Sequence, residues 1–122
     1  YGHEDSVLGI AFYQNDISVV HIENPVLHDG LEPTEVFLSK TKEGVTNLIK
    51  LYTTFPDRAS LLKHIHLLSV FARVDKLKLT FIFRLSFWII RAVTLFLVRR
   101  FFLLRALDVY KLALFCSRYN RK

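Results

Sequence analysis

The sequence predicts an α+β protein: a small N-terminal β-hairpin or three-stranded sheet, followed by a long, mostly helical C-terminal region. Three observations carry this expectation. Apolar residues alternate with period two before residue 24, the pattern of a half-buried strand. Val45, Leu48, Ile49 and Tyr52 recur at i, i+3, i+4 and i+7, the spacing of an amphipathic helix. After Pro56 the chain contains neither Gly nor Pro, so nothing there obliges the backbone to turn. With 122 residues, 52% of them hydrophobic, one ordered domain is the expectation, divided into an acidic front (1–56) and a basic, greasy rear (57–122).

The front starts with a polar lead-in over residues 1–5. Residues 6–13 place Leu8, Ile10 and Phe12 on one face of a strand. Gln14, Asn15 and Asp16 form a turn signal, and the β-branched run 17–23 alternates again, which completes a hairpin. Asn24-Pro25 breaks the second strand, and a loop through His28, Asp29, Gly30, Glu32 and Pro33 leads to a short third strand at 35–39. A helix then spans roughly residues 42–52. Thr54 reads as the N-cap of the next helix, with Asp57 three residues on and Pro56 in the first turn. Leu61, Leu62, Ile65 and Leu68 form its apolar side. Residues 76–87 alternate strictly enough to be a strand yet sit between helical patterns, and the two readings are evenly balanced. From residue 88 to 117, rich in Leu, Arg and Ala, helix is expected; 118–122 is a basic tail.

Charge separates the two parts. The front holds three Lys against eight acids, a net of −5; the rear holds fourteen Lys and Arg against three Asp, a net of +11. On one continuous helix Arg84 and Arg91, seven residues apart, fall almost on a line, and Arg73, Arg99 and Arg105 lie within roughly 60° of it at about 100° per residue. The result is a cationic stripe on a greasy rod. It has three readings: a solvated face, contact with anionic lipid or a membrane complex, and nucleic-acid binding. Lipid is favoured over nucleic acid because Phe96, Leu97, Phe101, Phe102, Leu103 and Leu104 surround Arg99 and Arg100, a pattern of interfacial helices. The anion-binding candidates are therefore Arg84, Arg91, Arg99, Arg100 and Arg105. A membrane-crossing helix needs about 20 largely uncharged apolar residues. The longest charge-free run between Arg84 and Lys111 is 92–98.

No motif nominates catalysis, and the expectation is a protein that is not an enzyme and has no cofactor. Ser39-Lys40-Thr41 lacks the glycines of a phosphate-cradling loop. His64 and His66 are two apart and fall on opposite sides of a helix, and His3, His21 and His28 match no metal-ligand spacing. Cys116 is the lone cysteine, which excludes an intramolecular disulfide. The chain opens on Tyr1, as a processed protein or a fragment does.

Residues 8–16 (LGIAFYQND) resemble the opening hairpin of the connector domain in MutS-type mismatch-repair homologues, and residues 31–51 are similar in layout to the strand and helix that follow there. The resemblance implies a ribonuclease-H-like fold over the first part of the chain and a non-catalytic, nucleic-acid-associated role linking DNA-clamp and ATPase parts. The residues themselves favour a different expectation: a non-enzymatic accessory subunit of a membrane-bound assembly, with the mitochondrial inner membrane as the candidate location. Its partners would be other subunits of a larger complex and anionic phospholipid, ahead of nucleic acid.

Overall fold

The computed structural model of the chain describes residues 3–25, 30, 33–101 and 105–119, apart from the side chains of 99 and 101. Among the described residues there are seven helices and no strand. They are α1 (Glu4–Gln14), α2 (Thr34–Thr54), α3 (Arg58–His64), α4 (His66–Lys76), α5 (Thr80–Leu85), α6 (Phe87–Phe101) and α7 (Arg105–Arg118). The fold is all-α, which overturns the expected hairpin and sheet.

The expected hairpin fails for a local reason. Glu4 and Asp5 occupy the first turn of α1, where acidic side chains favour the positive end of the helix dipole. The Gln14-Asn15-Asp16 signal does turn the chain, but it ends a helix instead of joining strands. Asp16 adopts φ 51°, its N–H donates to Tyr13 O, and the Ile17 N–H donates to Phe12 O at 2.9 Å. That paired 5→2 and 6→1 pattern is a Schellman stop. Residues 17–25 then run without regular structure, exposed, so their alternation has no strand to pair with. The proposed strand at 35–39 is the first part of α2. Positions 28, 29 and 32 of the expected loop, and 120–122 of the basic tail, lie outside the described residues.

The helix expected through Leu61, Leu62, Ile65 and Leu68 is broken at Ile65, whose extended backbone (φ −110°, ψ 104°) separates α3 from α4, and the end of α4 uses the same device as α1. Lys78 adopts φ 57°, with Lys78 N–H donating to Asp75 O and Leu79 N–H donating to Val74 O, both at 2.9 Å. This second Schellman stop ends α4 without a glycine. The N-cap of α3 is Asp57, not Thr54: Asp57 Oδ1 accepts from the Ser60 N–H at 3.1 Å, and its other oxygen accepts from the Ser60 hydroxyl. Residues 80–85, within the segment evenly balanced between strand and helix, are helical.

The core is centred on α7. Tyr110, Leu112, Leu114, Phe115 and Cys116 are buried against Val45 and Leu48 of α2 and Leu68, Phe71 and Val74 of α4. Leu61 and Ile65 extend the core toward α1, whose Ile10 is 1% exposed. Tyr52, Phe71, Phe115 and Tyr119 form a ring cluster in which every pair of centroids lies within 6.2 Å, the closest being Phe71–Phe115 at 4.5 Å. Such tilted aromatic pairs add about 1 kcal/mol each to the burial of the rings. At the N-terminal edge, α1 is pinned to α3 by Gln14 Nε2 donating to Asp57 Oδ2 at 2.9 Å and by Lys63 Nζ donating to the Tyr13 hydroxyl at 3.1 Å.

Candidate functional site

The basic, greasy stretch becomes α5 and α6, joined at Ser86. The Ser86 N–H donates to Ile82 O and the Ile90 N–H to Ser86 O, both at 2.9 Å, so the helical ladder is carried through the joint. The pair runs antiparallel to α7: Arg84 meets Cys116 and Tyr119, the Phe87 ring stacks on Tyr110, and the Thr94 hydroxyl donates to Ala106 O. Only one side of the pair is used in this way. Another side of the pair is apolar and exposed, carrying Phe81, Leu85, Trp88, Ile89, Val93 and Phe96, each between 50% and 73% exposed. Large apolar side chains left open in such a row mark a surface made for contact.

The cations divide around that face. Residues 76–107 contain seven Lys and Arg and no acid. Lys76 and Lys78 are exposed at one end of the α5–α6 rod, and Arg100 and Arg105 at the other. Arg105 borders a groove of about 380 Å³ whose apolar walls include Ile89, Val93, Leu97 and Val109. The side chain of Arg99 lies outside the described residues.

Arg84 and Arg91 point elsewhere. Arg84 Nη2 donates to Tyr119 O at 2.9 Å and reaches Cys116 O at 3.5 Å. A guanidinium there satisfies terminal carbonyls of α7 and offsets the negative end of its dipole. Arg91 lies over the Trp88 ring, 5.5 Å from its centroid. It is five residues from Phe96, roughly 140° around the helix at about 100° per residue, and lines a cavity facing α2. Arg73 belongs to α4 and Arg105 to α7, so the expected single stripe is distributed over four helices.

The titratable groups are consistent with a structural role. Burial pushes the Cys116 thiol up to about 11, with the nearby Arg84 charge acting in the opposite direction. His3 is held below its ordinary value by burial, against the raising effect of Glu4. His64 ends α3, with Nδ1 2.9 Å from Ser60 O, and His66 begins α4. No group of three or more His, Cys, Asp or Glu that could hold a metal occurs among the described residues.

Sequence reasoning found the cations but missed the exposed apolar face. The signal was present: read at period 3.6, residues 81, 85, 88, 89, 93 and 96 share a side. The strand-like alternation over 76–87 obscured it. Among the described residues no helix is long and apolar enough to cross a membrane. Comparison with protein-family models, curated proteins and solved structures finds no match to this chain.

Proposed function

We propose that this chain is a non-enzymatic accessory subunit of a membrane-bound assembly, and that it seats the α5–α6 face in an anionic membrane interface. The observation that carries the reading is the exposed apolar row from Phe81 to Phe96, set in a stretch with seven cations and no acid. An interfacial helix needs both features: apolar side chains to enter the headgroup–acyl boundary and cations to meet anionic lipid. Each cation near an anionic surface contributes about 1 kcal/mol, and each half-exposed apolar side chain of the row contributes a comparable amount on burial. In this arrangement Arg100 and Arg105 meet phosphate at one end of the rod and Lys76 and Lys78 at the other. Arg84 holds the end of α7. The acidic front lies on the aqueous side. The mitochondrial inner membrane, rich in anionic lipid, is the membrane this chemistry fits.

Trp88 is the only tryptophan and lies in the exposed row, so it reports directly on insertion. Its fluorescence should shift to the blue with anionic vesicles and stay nearly unchanged with neutral ones. Arg100→Gln with Arg105→Gln should weaken anionic binding about tenfold, and Phe96→Asp should remove the shift. An unshifted Trp88 at low salt, or equal binding of the Arg double variant, overturns the lipid reading. Salt-dependent DNA binding tighter than vesicle binding would replace it with the nucleic-acid one.

A further inference from the structure

We propose that the cavity between α2, α6 and α7 binds a phosphate group, either free or carried on a lipid headgroup. The cavity has a volume of about 330 Å³. Lys42 of α2 and Arg91 of α6 line it, together with the hydroxyl residues Ser39 and Tyr110. Both are exposed and border the same space from separate helices, which places two positive charges at one opening. Neither forms an ion pair among the described residues.

Arg91 is oriented by the face of the Trp88 ring, a contact that leaves its N–H donors uncommitted. A guanidinium so placed can offer phosphate two parallel N–H donors, and Lys42 adds a point charge.

Tyr110 supplies an independent observation. It is 3% exposed, its ring is stacked on Phe87, and its hydroxyl has no hydrogen-bond partner among the described residues. No buried side-chain oxygen among these residues lacks a partner, so the phenol is open to the cavity it lines. A phenol whose ring is buried and whose hydroxyl opens on the cavity can donate to a phosphate oxygen, which is acceptor-only when ionised. Glu35 stands at the same wall. Its negative charge limits the site to a single phosphate and disfavours polyphosphates. The Lys42 ammonium also borders an adjoining cavity where Arg118 is held by the Thr46 hydroxyl, which keeps the local field positive despite Glu43.

Arg91 rests on Trp88 of the apolar row, so the phosphate site is tested without vesicles to keep it separate from the membrane reading. The test follows backbone amide shifts at Ser39, Lys42, Arg91 and Tyr110 during titration with inorganic phosphate at fixed ionic strength, without vesicles. Saturable binding near about 1 mM is expected, as for a small anion held by a few charged contacts. Lys42→Gln with Arg91→Gln should weaken it at least about tenfold, and Tyr110→Phe, which keeps the ring and its packing, about threefold. Arg100→Gln with Arg105→Gln should leave the phosphate titration unchanged. A parallel titration with a soluble short-chain phosphatidic acid identifies the source: tighter binding than phosphate assigns a lipid headgroup, and equal binding assigns free phosphate. Absence of saturation, or equal affinity in the Lys42/Arg91 double variant, overturns the proposal.

Discussion

At the scale of single residues, two positions test the core and its linkage to pH. Phe71 and Phe115 are fully buried and face each other across the α4–α7 contact. Phe71→Ala removes a ring from the four-membered cluster and should destabilise the chain by about 3–5 kcal/mol in chemical denaturation. Cys116 is 1% exposed, with its thiol raised to about 11. In the unfolded chain the thiol ionises near its ordinary value of 9.0, so its protonated form favours the folded state. The contribution of this group is fully present below pH 9 and is lost as pH rises toward 11. The alkaline fall in denaturation midpoint should therefore be shallower for Cys116→Ala than for the parent chain, and equal slopes would contradict the assignment. Asp57 behaves in the opposite sense. Its carboxyl is held below the ordinary value by the Ser60 hydroxyl and N–H, so the cap it provides is lost as pH falls through that lowered value.

The helices themselves were only partly legible, and the reasons are local. Val45 and Leu48 were readable because amphipathic spacing and burial coincide there, whereas Leu61, Ile65 and Leu68 are buried as expected but do not share one helix, since the extended backbone of Ile65 separates α3 from α4. The α4–α5 break was not readable. An argument from missing Gly and Pro assumes that a stop needs a residue tolerant of positive φ, yet Lys78 takes that conformation and the Schellman hydrogen bonds maintain it. A left-handed lysine carries a steric cost that glycine avoids, so Lys78→Gly should raise stability by about 1 kcal/mol. Lys78→Val should lower it. The reverse holds inside α2, where Gly44 is helical and a Cβ would meet nothing within 4 Å. Gly44→Ala should stabilise by about 0.5–1 kcal/mol, measured by thermal melting followed by circular dichroism. The hairpin was misread because Leu8, Ile10 and Phe12 fit period two while Val7, Ile10 and Ala11 fit a helix equally well. Acids in the first turn and the stop at Asp16 favour the helix.

At the scale of the whole molecule, α7 decides the arrangement. It is the central helix, packed by α2 and α4 in one direction and by α5–α6 in the other. Arg84 joins the C-terminal end of α7 to α5, so Arg84→Gln should destabilise by about 1 kcal/mol while leaving vesicle binding nearly unchanged. The sequence by itself determined the charge division, the absence of a membrane-crossing run and the amphipathic helices around Val45 and Leu68, because composition and short-range periodicity are local properties. Only the tertiary structure decided that Arg84 turns to the end of α7, that the row from Phe81 to Phe96 is exposed, and that Lys42, Arg91 and Tyr110 share one cavity. Those outcomes depend on where α7 lies relative to α2 and α6, and contacts between residues distant in the chain leave no period in it.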